Sequence, residues 1–384
     1  MQPHNAPLYK QIEANLKPLF SKRIPKNVFG KSPSSVFIGK YNYPNVFAGP
    51  MVGITDNIDV TNSDSPGQWY GLSLEKIVEQ RLSLARGETT TNVKQAGSRI
   101  ALDLQDTALS MKPIDMEVRF EREPFQRMNF SSFLSPMGAS GKMEKFILAD
   151  NPSIPRKVLS LVEEKITVAT AVHEGLEFFG DTYYLQRALS TGALGVEKKL
   201  VPTRWSITAA DDIITKQLLT DVREYRSIGE IQLYSNTWMG NHFEIVFLPG
   251  TWEFEQFESW EPNSNWAAKA NQVEYEYEPF EGRTAYAERE GGGYYAGRIA
   301  CVEHLHKEKR QARTIVLREI SDEYQVPLGV WQVRQNCREA LKNTPRKFET
   351  RNELMTELKK RLKRPIKQYT TMSRVLTQRK LADF

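Results

Sequence analysis

The stretch Ile231-Gln-Leu-Tyr-Ser-Asn-Thr-Trp-Met-Gly-Asn-His-Phe-Glu-Ile-Val-Phe-Leu248 decides the fold class. Ile231-Gln-Leu-Tyr234 and Phe243-Glu-Ile-Val-Phe-Leu248 carry the β-branched and aromatic residues that suit a pleated surface. Met239-Gly-Asn-His242 between them supplies the glycine of a turn. A second strand group is expected at 273–277. Helical patterns flank this β region on both sides, so the chain reads as α+β, a mixed α/β fold.

Upstream, Leu8, Ile12, Leu16 and Leu19 fall at helical spacing and predict a helix over 8–20. Two short strands, 35–38 and 45–48, flank the turn Tyr41-Asn-Tyr-Pro44, and a polar loop covers 55–67. Leu74, Ile77, Val78 and Leu82 share one face of an expected helix over 72–86, with Gly87 placed to stop it. Residues 124–141 read as irregular. Helices are expected at 155–164, 166–179 and 181–190; His173 is expected to pack within the second. Another opens at Thr208, which stands at capping-box-like spacing from Asp211 before Ile213, Ile214, Leu218 and Leu219. Downstream, helices are expected over 294–324, 331–341 and 351–362. No repeat of 20–50 residues is visible.

Of the 384 residues, 40% are hydrophobic and 26% charged, as in ordinary globular proteins. No apolar run approaches the ~18 residues of a membrane span, so no membrane is expected as a partner and the expected location is the cytoplasm. Cys301 and Cys337 fit a reducing compartment and leave no disulfide framework. The net charge of +5 is unevenly spread: 341–384 holds 13 Lys/Arg against 4 Asp/Glu, whereas the other 340 residues hold 39 against 43. The basic excess lies in the C-terminal segment and points to an anionic partner or a solvated tail.

Gln378-Arg-Lys-Leu381-Ala-Asp-Phe384 has the spacing of a clamp-interacting (PIP) peptide. Tight helical geometry of three residues per turn brings positions 1, 4 and 7 to one side, so Leu381 and Phe384 can share an apolar pocket while the Gln378 amide hydrogen-bonds nearby. The plain alternative is a frayed basic tail that matches by chance. Lys359, Lys360, Arg361, Lys363 and Arg364, followed by Lys367, can meet DNA phosphates without reading sequence, or can simply end a helix in solvent. Gly291, Gly292 and Gly293 form a turn entering a helix, where free amides with Arg298 can hold a phosphate or nucleotide; close packing is the alternative. Arg204, Trp205, Asp211 and Asp212 lie close in sequence, and with Asp64 and Glu253 the carboxylates can gather around Mg²⁺, or merely stabilise a helix start. The spacing of the five histidines matches no zinc site.

Six segments, in order, resemble the Nre family of archaeal DNA repair proteins. They are Ser32-Pro-Ser-Ser-Val-Phe-Ile-Gly39 with Tyr43-Pro44 and Gly49-Pro50; Asp64-Ser-Pro66 with Trp69; and Leu200-Val-Pro-Thr-Arg-Trp-Ser-Ile-Thr208 with Asp211-Asp212. Leu248-Pro-Gly-Thr-Trp-Glu-Phe254, Gly292-Gly-Tyr-Tyr295 with Arg298, and Pro327-Leu-Gly-Val-Trp331 complete the set. The resemblance implies two family regions, expected at 1–255 and 256–345, with 346–384 a basic helical segment and clamp-binding tail. It also implies a role in DNA damage tolerance and contact with the sliding clamp (PCNA), with DNA as a further partner and the nucleoid as the expected place of work. Many relatives open with a cysteine-rich segment; residues 1–20 hold no cysteine, so zinc is not expected. Either this member belongs to a branch without the metal or the segment has been lost. Two readings stand side by side. One is a repair factor recruited by the clamp. The other is an enzyme handling a nucleotide or DNA phosphate, with or without Mg²⁺, at the Gly291–Gly293 turn with Arg298, Arg204 and Asp211.

Overall fold

The computed structural model describes residues 14, 23–54, 59–125, 130–261, 264 and 273–377. The chain forms two compact units, Gln11–Gln217 and Leu218–Phe384 with Met1–Lys10. Each described unit contains one six-stranded mixed sheet, and the fold is α+β.

In the first unit the strands are β1 (Asn27–Ser32), β2 (Val36–Ile38), β3 (Asn45–Gly53), β4 (Leu84–Asn92), β5 (Ile114–Phe120) and β6 (Ser140–Leu148), in the order β1-β5-β6-β4-β3-β2. All neighbours are antiparallel except β4 and β6. Along β5, Ile114, Met116, Val118 and Phe120 point inward while Glu117 and Arg119 face solvent, the period-2 alternation of a half-buried strand. The helices are α1 (Leu74–Leu82), α2 (Arg99–Leu109), α3 (Arg156–Glu163), α4 (Val168–Glu174), α5 (Leu176–Phe179), α6 (Thr182–Ser190) and α7 (Thr203–Val222). Ala101, Leu104 and Ala108 of α2 pack with Val36, Val46, Met116 and Val118 into one core. Ser98 starts α2 by accepting from the Ala101 amide.

In the second unit the strands are β7 (Ile231–Trp238), β8 (Asn241–Leu248), β9 (Glu253–Trp260), β10 (Val273–Glu278), β11 (Arg313–Ile320) and β12 (Arg346–Phe348), ordered β10-β9-β11-β8-β7-β12. The hairpin at 231–248 forms through Met239 and Gly240. Their φ values of 48° and 66° are both positive, as in the turns whose twist matches two antiparallel strands. The helices are α8 (Gly292–Glu308), α9 (Trp331–Ala340), α10 (Arg351–Arg361), α11 (Ile366–Thr370) and α12 (Arg374–Thr377). β11 runs parallel to β9, reached by a crossover through α8, and all eight of its residues are buried. Leu354, Leu358, Tyr369 and Val375 from α10, α11 and α12 close the core over Val246, Phe257, Ile315 and Leu317.

Four expectations need correction. The helix over 72–86 stops at Leu82; Leu84 onward is β4, because Ala85 and Arg86 pair with Val52 and Met51 of β3. The helix over 294–324 stops at Glu308, where Lys309 turns left-handed at φ 53° and Arg310 N–H closes onto the Leu305 carbonyl; the following apolar run is the central strand β11. The helix expected from Thr208 starts at Thr203, and Thr208 Oγ1 bonds the Trp205 carbonyl instead of capping. His173 is exposed rather than packed, its Nδ1 2.8 Å from Gln217 Nε2. The helix expected over 8–20 lies outside the described residues apart from residue 14. Among the described residues no helix is long and apolar enough to cross a membrane.

Candidate functional site

The glycine turn enters α8 beside strands β9 and β11 of the second sheet. Gly291 has φ 55°, and its N–H donates to the Ala287 carbonyl, while Gly293 N–H donates to Glu290. Arg298 lies in the second turn of α8, 1% exposed, with Nε 3.1 Å and a terminal nitrogen 2.9 Å from Glu278 Oε1. Glu278 also accepts from Tyr294 Oη and Trp252 Nε1. The guanidinium is therefore paired with Glu278, which Tyr294 and Trp252 also hold.

Next to the turn stands a buried polar group. Gln256, Glu258 and Arg318 point from neighbouring strands β9 and β11 toward Glu290 and Gly293. Arg318 donates to Glu258 at 2.6 Å and to Asn241 at 2.6 and 2.9 Å. Both carboxyl oxygens of Glu290 are shielded from water, and neither they nor the Gln256 amide make a hydrogen bond of ordinary geometry. Burial, with the Glu258 and Glu276 carboxylates adding to it, holds the Glu290 pKa well above the usual carboxylate range, against the pull of Gln256 and Arg318. The turn is thus flanked by a carboxyl group that favours its neutral form and by a primary amide.

The other predicted residues are dispersed. Arg204 stacks on the Phe133 ring at 3.7 Å, half-buried, and Trp205 beside it is exposed. Asp211 is wholly buried and accepts from Thr182 Oγ1 at 2.6 Å; Asp212 pairs with Lys216 at 2.6 Å. Asp64 receives Arg81 at 2.5 Å and the Ser35 hydroxyl. Glu253 belongs to the other unit and pairs with Arg313 at 3.4 Å. Each carboxylate has its own partner. Among the described residues no three His, Cys, Asp or Glu side chains gather in a way that would hold a metal ion.

The basic run is divided by burial. Arg361 turns inward to Glu357 at 2.7 Å and Glu244 at 3.3 Å, and Arg364 donates to the Trp260 carbonyl. Lys359, Lys360, Lys363 and Lys367 stay exposed, Lys363 pairing with Glu261 at 2.6 Å. Gln378, Leu381 and Phe384 lie outside the described residues. The element just before them is firmly held. Glu255, wholly buried on β9, accepts from the Arg374 and Val375 amides at 2.6 and 2.9 Å, from Ser373 Oγ at 2.5 Å and from Tyr275 Oη at 2.8 Å. Glu319 on β11 likewise accepts from the Lys363 and Arg364 amides and Tyr369 Oη. Sequence reasoning missed Gln256, Glu258, Glu255 and Glu319. The available signal was an unusual density of polar residues in the run Glu253-Phe-Glu-Gln-Phe-Glu258, which is otherwise strand-like.

Comparison with known proteins adds the following. The model of the archaeal Nre N-terminal region matches residues 3–267, and that of the archaeal Nre C-terminal region matches residues 278–384. The chain is 34% identical over 344 residues to DNA repair protein NreA of Archaeoglobus fulgidus, covering 88% of this chain and 86% of that protein. It is 35% identical over 343 residues to DNA repair protein NreB of the same organism, covering 88% and 85%. With DNA repair protein NreA of Haloferax volcanii the identity is 33% over 337 residues, covering 84% and 80%. No solved structure matches the chain.

Proposed function

The chain belongs to the archaeal Nre family, and on that footing we propose that it serves DNA repair as a factor recruited to DNA by the replicative sliding clamp through Gln378, Leu381 and Phe384. The observation that carries the reading is the 1–4–7 spacing of those three residues, in a peptide that directly follows an anchored helix. Val375 of α12 is fully buried and Glu255 caps the helix from within the sheet, so the peptide is joined to a body that holds without it. Leu381 and Phe384 supply apolar burial of about 1.5–3 kcal/mol each when enclosed. Ordering the tail offsets part of this, which sets binding on the order of micromolar. Arg379, Lys380 and the exposed lysines upstream speed association with an acidic clamp surface without setting specificity.

The test is calorimetric titration of the matching clamp. Removal of residues 378–384 should abolish binding and leave the melting temperature unchanged. Leu381→Ala with Phe384→Ala should reproduce the loss, whereas Arg379→Ala should only weaken binding. Full affinity in the truncated chain would refute the recruitment reading.

A further inference from the structure

The turn between β2 and β3 projects aromatic rings into solvent. Tyr41 is 73% exposed, Tyr43 52% and, at the start of α7, Trp205 45%. Seven of the large hydrophobic residues exposed among the described residues are aromatic, and three of them are these. The Tyr43 and Trp205 rings meet at 5.4 Å between centroids, tilted by 50°. Burial does not account for them: a Trp and two Tyr in water forgo the apolar stabilisation that such side chains usually supply.

Their neighbours carry positive charge. The Lys40 ammonium sits 4.9 Å from the centre of the Tyr41 ring. Lys199 lies within electrostatic reach of Tyr43. Backbone bonds fix that placement, since Val93 N–H donates to the Pro44 carbonyl and Leu200 N–H to Val93, both at 2.9 Å. Glu197, exposed, is the acidic member of the patch and pairs with Lys199. The platform itself is rigidly seated: Ile38 N–H bonds Thr203 Oγ1 at 2.9 Å, tying β2 to the first turn of α7, and Gly39 N–H bonds the Phe47 carbonyl at 2.7 Å.

We propose that Tyr41, Tyr43 and Trp205, flanked by Lys40 and Lys199, form a stacking platform for the unpaired bases of single-stranded DNA. The inference rests on the DNA repair reading of the family and names the DNA form that this unit takes. Exposed ring faces stack on any base, while lysines track the phosphates, so recognition is tolerant of sequence. A duplex offers no free base faces to such rings, and its affinity depends on phosphate contacts alone. An aliphatic protein partner would offer no counter-charge to Lys40, and Glu197 balances Lys199 alone.

The experiment is fluorescence anisotropy of a dye-labelled oligothymidine of about 15 nucleotides, against a duplex of the same length. It uses the full chain and, in parallel, the chain lacking 378–384. Tyr43→Ala and Trp205→Ala should each weaken single-strand binding by about tenfold, with duplex binding and melting temperature unchanged. Trp205→Phe should restore most of the affinity, because a phenyl ring still stacks. Lys40→Gln with Lys199→Gln should reduce the single-strand salt slope by about 1.4, at roughly 0.7 per phosphate contact. The proposal is overturned if the full chain binds no single strand. It is equally overturned if the Tyr43→Ala, Trp205→Ala double variant binds it with full affinity, or loses duplex binding in the same proportion. The tail-less chain keeps the two proposals apart: it should keep single-strand binding while losing the clamp, and the aromatic variants should keep the clamp.

Discussion

Glu290 shows how one side chain sets the character of a turn. It precedes Gly291, and both its carboxyl oxygens are buried beside Gln256, so the neutral form is favoured. The folded chain thus keeps a proton that the unfolded chain releases in the ordinary glutamate range near ~4.3. Stability from this group is therefore complete at acid pH and is lost as pH rises from that range through the raised folded value. Glu290→Gln removes the ionisation while keeping the shape. The variant should match the wild type at acid pH and then exceed it, the gap growing by about 1.4 kcal/mol per pH unit within that window. Melting temperatures across pH 4–8 measure this, and parallel curves would show that Glu290 ionises freely in the folded chain. Arg298 makes the complementary point: the sequence places it near the start of the helix, but only the fold supplies Glu278 as its partner.

At the scale of elements, the C-terminal helices hang on carboxylates from the sheet. α12 is only four residues long and cannot hold its own first turn, so Glu255 satisfies the Arg374 and Val375 amides from β9. Glu319 does the same for the Lys363 and Arg364 amides ahead of α11. Glu255→Ala strands several buried donors at once and should cost about 3–5 kcal/mol. Hydrogen exchange should rise first in residues 366–377, with β7 and β8 still protected. Uniform loss of protection across the second sheet would mean that the helices do not depend on this residue separately. Helix packing is equally specific at Gly297, where an added Cβ would stand 2.1 Å from Gln256 Oε1.

At the scale of the whole molecule, the basic excess of the C-terminal segment is smaller in effect than its count. Arg361 and Arg364 turn to protein acceptors, leaving Lys359, Lys360, Lys363 and Lys367 exposed. If these four meet duplex phosphates, replacing them with glutamine should reduce the duplex salt slope by up to about 3.6, at ~0.9 per contact, with little loss of stability. Arg361→Gln should do the reverse, lowering the melting temperature and leaving the slope nearly intact. Titrations over a range of salt concentrations decide between the two outcomes; an unchanged slope in the lysine variant assigns the run to solvent.

Family membership, the α+β class and the hairpin at 231–248 were legible in the chain itself. Turn chemistry and one-sided burial leave a local mark: Gly240 between two apolar runs, or Leu354 and Leu358 one helical turn apart. The 1–4–7 pattern of Gln378, Leu381 and Phe384 is local in the same way, since it spans two turns of a tight helix. The central strand β11 was not legible, because Arg313-Thr-Ile-Val-Leu-Arg-Glu-Ile320 is buried on both faces and loses the alternation that separates a strand from a helix. Nor were the charge partners. Glu255 meets Arg374, and Glu278 meets Arg298, across separations that no local pattern records. Tyr43 and Trp205, far apart in the chain, become one aromatic surface only when β2 is hydrogen-bonded to the start of α7. Local preferences act within a turn or two of chain, whereas pairing and desolvation are decided by whatever the fold brings alongside.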